Sequence, residues 1–309
     1  MTWVSMNCPF AIFGGLLSYG LGPTSGTAVP SWGLLFLLLG ALTIIWSVIQ
    51  FFILPDSPGT AYFLTPRERI IAVKRVAGNR VGTRNTEFKW EQVREVFVDY
   101  KTYLMFFSTI CAQLPNGIVS FFSTTIISSL GFSEFETVLL DIPYQMCCLW
   151  PLLIAAWVAS RWKNMRALML IGGNCTGSFL VTGFSFISFT FAVIMVTSNI
   201  GGYTKRQTVT TITFLGFCVG NIVGPHTLIA SEKANQYPTA TKAMIGGFAG
   251  QTVCIAALAL GMWYENKRHD RKMRERGEND TEEELALLAE RTAMEDATDL
   301  QNPYLRYVY

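Results

Sequence analysis

The chain reads as an all-α polytopic membrane protein, and three observations say so. Its 309 residues are half hydrophobic and only 15% charged, whereas a soluble domain carries about 25% charge. Residues 1–55 hold no Asp, Glu, Lys or Arg; the first charged side chain is Asp56. Blocks free of charge, apart from Asp141 near the start of the fourth, recur at 3–22, 31–54, 104–128, 138–160, 167–181, 183–203, 208–228 and 243–264. The clear ones are near the ~20 residues that an apolar helix needs to cross a bilayer.

Taken in order, the first two blocks are joined by Pro23-Thr24-Ser25-Gly26-Thr27-Ala28-Val29-Pro30, a turn-forming linker. The charged segment 56–103 follows. Within it Thr65-Pro66-Arg67-Glu68 supplies a capping residue, a proline at the first helical position and a glutamate three places on, so a short helix should open there. Trp90, Val93, Val96, Phe97 and Tyr100 then recur at helical spacing among charges. They describe an amphipathic helix lying against the bundle or the inner membrane face.

The block 167–203 offers 37 residues without charge, where two crossings want about 40 and a turn. Arg161, Lys163 and Arg166 precede it, and Lys205 and Arg206 follow. Both clusters belong on the cytoplasmic side, which requires an even number of crossings between them. A tight hairpin turning near Val181-Thr182-Gly183 satisfies this, and a partly re-entrant segment is the alternative. The last block is followed by a basic stretch, Lys267 to Arg276, and then an acidic one, Glu278 to Asp299. The basic part suits anionic headgroups, and the acidic part is most simply a mobile solubilising tail.

Charge also orients the chain. With both termini cytoplasmic, the inner segments collect nine Lys/Arg at 56–103, three at 161–166, two at 205–206 and six at 267–276. The outer side keeps only Lys233 and Lys242, a bias of twenty to two that agrees with eight crossings. Four segments result: 1–55 with two spans, the cytoplasmic loop 56–103, a six-helix unit 104–264, and the cytoplasmic tail 265–309.

Composition excludes several chemistries. The two histidines, His226 and His269, cannot build a His-cluster metal centre. The seven cysteines lie in apolar stretches without CxxC pairing and read as small core hydrophobes. There is no P-loop, GxGxxG or GxSxG motif, no basic stripe for nucleic acid, and no residue set that calls for a metal or cofactor.

Polar groups inside spans are costly unless partnered, so each is a candidate substrate contact or interhelical hydrogen bond. The candidates are Gln113, Asn116, Tyr144, Gln145, Ser198, Asn199 and Asn221. Pro115-Asn116-Gly117 is the place where a helix interruption is expected, freeing backbone groups to meet a solute. Gly216, Gly220 and Gly224 repeat at every fourth residue, a stripe that lets helices approach closely for packing or sliding gates. No Asp, Glu, Lys or Arg lies mid-span; Glu134, Glu136, Asp141 and His226 sit near outer ends.

Several stretches resemble fungal major facilitator transporters. They are Leu54-Pro55-Asp56-Ser57-Pro58 closing a span and Leu64-Thr65-Pro66-Arg67-Glu68-Arg69 opening the loop. Ser198-Asn199-Ile200-Gly201-Gly202-Tyr203-Thr204-Lys205-Arg206, Gly216-Phe217-Cys218-Val219-Gly220-Asn221-Ile222-Val223-Gly224-Pro225 and Tyr264-Glu265-Asn266-Lys267-Arg268 are similar to the allantoate permease group of the anion:cation symporter family. The resemblance implies a partial major facilitator fold, the last two helices of a first bundle and a six-helix second bundle. It also implies a plasma-membrane address and proton-coupled uptake of a small organic anion: a ureide such as allantoate, a dipeptide or a vitamin-like carboxylate. The family uses twelve spans, and this chain aligns from the fifth, so an N-terminally truncated chain is the expectation. A membrane scaffold that binds a full-length relative is the rival class, and an enzyme is not expected.

Overall fold

A computed structural model describes residues 7–21, 29–55, 59–77, 88–129, 185–229, 237–275, 296–302 and 304–308, with isolated positions elsewhere. Among the described residues all regular structure is helical. The helices are α1 (Asn7–Leu21), α2 (Ser31–Ile53), α3 (Pro66–Ala77), α4 (Trp90–Val98), α5 (Tyr100–Ser129), α6 (Ser185–Asn199), α7 (Tyr203–His226) and α8 (Pro238–Glu275). Six of them fall on expected elements outside 131–172, and α3 and α4 are the two expected cytoplasmic helices. Tyr144, Gln145 and the turn at 181–183 lie outside the described residues.

Local chemistry accounts for the helix ends. Pro30 precedes α2, and its carbonyl accepts the Leu34 amide at 3.1 Å, closing the first turn. The helix stops at Leu54, which is extended (φ −84°, ψ 115°) because the following Pro55 disfavours helical geometry there. α3 opens on the expected capping box: Glu68 Oε2 accepts from the Thr65 amide at 2.9 Å, and Thr65 Oγ1 accepts from the Glu68 amide at 3.4 Å. Asp99 divides α4 from α5. It is extended (φ −82°, ψ 114°), and its Oδ1 accepts the Lys101 amide at 3.1 Å, capping the helix that follows.

Stretches Trp32–Ile53, Tyr203–His226 and Pro238–Lys272 are long and apolar enough to cross a membrane, and α5, at 30 residues, reaches about 45 Å. The protein is a multi-pass membrane protein. α8 continues eleven residues past 264 to Glu275, so the boundary expected between bundle and tail falls inside one helix. The packed body is built from α5, which lies chiefly against α7 and then against α8, with α6 and α4 at the end where α5 begins. There Val96, Met105, Met195, Val196, Ile200, Val209, Ile255, Leu258 and Met262 form one apolar core.

Two expectations are corrected. Pro115 does not interrupt its helix; α5 runs unbroken from Tyr100 to Ser129 with Pro115 inside it. A mid-helix proline strands the carbonyl four residues back, here that of Cys111. Gly247 of α8 covers that carbonyl so closely that a Cβ at this position would stand 2.7 Å from it and 3.1 Å from Pro115 Cδ. Helix–helix contact thus shields the freed group and keeps the helix continuous. The acidic tail is not simply a mobile solubilising segment either. Thr298, Asp299, Asn302, Leu305 and Tyr307 are buried, and Leu305 and Tyr307 join the apolar core. Hydrogen bonds and ion pairs to five helices hold this end, and composition alone cannot register such partners.

The α5–α7 seam depends on absent side chains. A Cβ at Gly220 would lie 2.6 Å from Gln113 Cβ and 2.7 Å from the Ile110 carbonyl; at Gly224 it would lie 2.6 Å from the Leu114 carbonyl. Gly117 returns the contact from α5, 2.9 Å from the Asn221 carbonyl. Gly220→Leu should lower the stability of detergent-solubilised protein by about 2–3 kcal/mol, read as a drop in thermal midpoint. Gly246→Ala, where a Cβ meets nothing within 4 Å, should leave the midpoint unchanged.

Candidate functional site

Halfway along α5, and in the last third of α7, three amides form a ladder. Asn116 Nδ2 donates to Asn221 Oδ1 at 3.0 Å, and Asn221 Nδ2 donates to Gln113 Oε1 at 3.2 Å and to the Phe217 carbonyl at 2.9 Å. Gln113 is buried, while Asn116 and Asn221 are half-buried. The glycine contacts place the helices close enough for these short side chains to meet. Asn221 has both amide protons committed, so Asn116 keeps the more available polar edge. Gln113, Asn116 and Asn221 are thereby brought together by one seam, with Pro115, Gly117, Gly216, Gly220 and Gly224 shaping it. The arrangement can offer amide donors and acceptors to a solute carboxylate or ureide, and no charge competes with it.

Ser198 and Asn199 sit elsewhere. They close the C-terminal end of α6, where Asn199 is buried. Its Nδ2 donates to the Val308 carbonyl at 2.9 Å and its Oδ1 accepts from the Val308 amide at 2.7 Å. Both edges of the Asn199 amide are therefore occupied by backbone of the chain's own C-terminal segment. That position is far along the helix from the ladder and already filled.

The same end of the molecule holds a cluster that single-residue reading missed. The side chains of Lys101, Lys205 and Asp299 have no exposed surface. Lys101 Nζ lies 2.8 Å from Asp299 Oδ2 and 3.3 Å from Glu265 Oε2. Lys205 Nζ lies 2.7 Å from Asp299 Oδ1, 2.9 Å from Asp99 Oδ2 and 2.8 Å from Glu95 Oε1. Tyr307 completes it: its hydroxyl accepts from Lys101 Nζ at 2.8 Å and donates to Asp299 Oδ2 at 3.1 Å. Lys205 had been counted among the charges facing the cytoplasm, and it is instead consumed in the interior of this network.

Burial alone would raise the Asp299 carboxyl, but Lys101 and Lys205 outweigh it and hold Asp299 below the ordinary carboxylate range. Burial, and then the Asp299 charge, pushes the Tyr307 hydroxyl well above its usual value, so it stays protonated and able to donate. The sequence carried one faint signal for this cluster: Lys101 beside Asp99 at the mouth of a span. The partner Asp299, 198 residues away in sequence, carried none.

No family model matches the chain, and no solved structure does. Among curated proteins it is similar over 99% of its length to an uncharacterized transporter of Schizosaccharomyces pombe, at 31% identity and covering 62% of that protein. It is likewise similar to the allantoate permease of Saccharomyces cerevisiae, at 30% identity over 99% of the chain and 60% of the permease. The thiamine pathway transporter THI73 of the same yeast matches at 30% identity, with the same 99% and 60% coverage. The chain spans about three fifths of the length of these relatives.

Lys205→Met leaves Asp99 and Asp299 with one ammonium between them, and should destabilise the detergent-solubilised protein by about 3–5 kcal/mol. Because the folded pKa of Asp299 is depressed, its contribution is complete above the unfolded value of about 4 and is lost as pH falls through the lower folded value. The stability gap between wild type and Lys205→Met should thus stay level from pH 8 to about 5 and narrow below about 4, measured by thermal unfolding across pH.

Proposed function

We propose that this chain, similar over 99% of its length to fungal transporters that include an allantoate permease, takes part in secondary transport of a small organic anion by alternating access. The observation that carries this reading is the amide ladder Gln113–Asn221–Asn116, set mid-helix between two glycine-packed helices. A neutral ladder in a low-dielectric seam can hold a carboxylate or ureide by hydrogen bonds and still release it, which a fixed buried cation would resist. Allantoate, named for one relative, is the first solute to test, with other ureides, dipeptides and vitamin-like carboxylates after it.

The division into 1–55, 56–103, 104–264 and 265–309 belongs to the same reading, as the end of one bundle, the joining loop, a second bundle and a cytoplasmic tail. So do cytoplasmic termini, a plasma-membrane address and contact with membrane lipids. Proton coupling is part of it as well. With no charged residue mid-span, the proton would be carried by groups near helix ends or by the bound anion itself. No enzymatic step is invoked.

The test is uptake of labelled allantoate and related carboxylates by cells shown to display the protein at the surface. Asn116→Ala should reduce uptake about tenfold, the effect of losing one hydrogen bond to a charged group, with surface expression unchanged. Uptake no greater than in control cells across the panel would refute the transport reading. Co-purification with a twelve-span relative in that case would favour the scaffold.

A further inference from the structure

The pit around Lys101 and Lys205 is assembled from the ends of α4, α5, α6 and α7 and the side of α8, and the C-terminal segment fills it residue by residue. Asp296 stands at one side. Its Oδ1 accepts the Tyr203 amide at 2.7 Å, its Oδ2 pairs with Lys89 Nζ at 2.9 Å, and its carbonyl accepts from Gln92 Nε2 at 3.0 Å. Gln92 Oε1 in turn accepts the Lys205 amide at 3.1 Å. The first turn of α7 is therefore capped by the tail and by α4, since its own preceding residue, Gly202, has no side chain to offer.

Gly202 adopts φ +82° and lies against Gln92, and a Cβ on Gly201 would stand 2.8 Å from the Asp299 amide nitrogen. The glycine pair is what lets the segment lie down here. Asp299 then enters between the two lysines. Farther on, Asn266 of α8 brackets Tyr307, donating to its carbonyl at 2.9 Å and accepting its amide at 3.0 Å. Asn199 of α6 brackets Val308 in the same two-point manner. Paired side-chain amide contacts to backbone are how proteins grip an extended peptide without regard to its side chains, while the lysine pair reads one acidic residue.

We propose that this pit is a peptide-recognition socket whose occupant is the chain's own residues 296–308, and that docking latches α4, and with it the joining loop, to the cytoplasmic ends of α5, α6, α7 and α8. The occupant's character fits the socket: two aspartates meet three lysines, and Leu305 and Tyr307 complete an apolar core that α4 enters through Val96. α4 shares its polar contacts with the segment through Gln92 and Lys89, so undocking removes partners from α4 and α7 together.

The experiment is hydrogen exchange read by mass spectrometry on the full chain in lipid nanodiscs. Asp299→Asn should speed exchange about tenfold or more in three places together, residues 296–308, α4 and the first turn of α7, and leave the middle of α5 and α7 unchanged. Asn199→Ala, which removes only the grip on Val308, should speed exchange at 304–308 and spare 296–302. A chain ending at residue 295 should bind an added peptide of residues 296–309. The same peptide with asparagine in place of Asp299 should bind at least ~10-fold more weakly, as expected for truncating one partner of a buried charge pair. Faster exchange confined to the tail, faster exchange throughout the bundle, or equal binding of the two peptides would each overturn the latch. The latch bears on transport only if the transport reading holds. Silent uptake in every variant would count against that reading, while the exchange pattern would still decide the latch.

Discussion

One carboxylate between two ammoniums organises the end of this protein where α4, α5, α6 and α7 meet. Moving an ion into the interior costs several kcal/mol even after relaxation, so buried charges survive only where geometry and extra hydrogen bonds compensate them. Asp299, Lys101 and Lys205 meet that condition jointly: each oxygen of Asp299 faces a different lysine, and Tyr307 bridges Asp299 to Lys101. Asp299 is the one carboxylate that both lysines share at under 3 Å. Asp99 and Glu95 on Lys205, and Glu265 on Lys101, then spread the excess charge over α4, α8 and the break before α5. The relative positions of α4, α5, α7 and α8 at this end follow from one network.

The other constraint is steric and lies on the same two helices. α5 and α7 carry Lys101 and Lys205 in their first turns, the Gly216–Gly220–Gly224 stripe along their contact, and the amide ladder within its far half. Glycine contact brings backbones together but supplies no direction; ridges without side chains can slide. The ladder and the ion network supply register at two points along the seam. A displacement of α7 against α5 at their N-terminal ends has to break charge contacts, whereas at the ladder it exchanges one neutral amide contact for another. The stiff end and the adaptable middle are thus assigned by chemistry, which suits a molecule whose relatives are transporters.

Legibility in the sequence divides along the range of the interactions. Among the described residues, the apolar helices, the capping box at Thr65 and the close-packing stripe were readable because each depends on neighbours within a turn or on the bilayer as a common solvent. The grouping of Gln113, Asn116 and Asn221 as polar residues needing partners was readable too, though not that they partner one another. Pro115 was misread because its consequence depends on Gly247, a residue on another helix. Asn199 and Lys205 looked like a pore polar group and a surface charge, and both belong to a binding pit for residues about a hundred positions later. Single-residue chemistry gives the demand for a partner, and only the fold gives its identity.

The acidic tail shows how that limit can mislead. By composition, Glu278 to Asp299 is a solvated segment, and solvation is the cheapest state for most of those carboxylates. Asp296 and Asp299 differ from the rest in what lies opposite them: an uncapped helix start that offers unpaired amides, and two lysines that cannot reach water. A helix N-terminus and a buried cation pair each attract a carboxylate more strongly than bulk solvent does when the other donors are in place. Gly201 and Gly202 fit this account, because their lack of side chains both denies α7 a cap of its own and opens the room in which an external carboxylate can supply one. The glycines that read as family signature in the linear sequence are, in the folded chain, the floor of the socket.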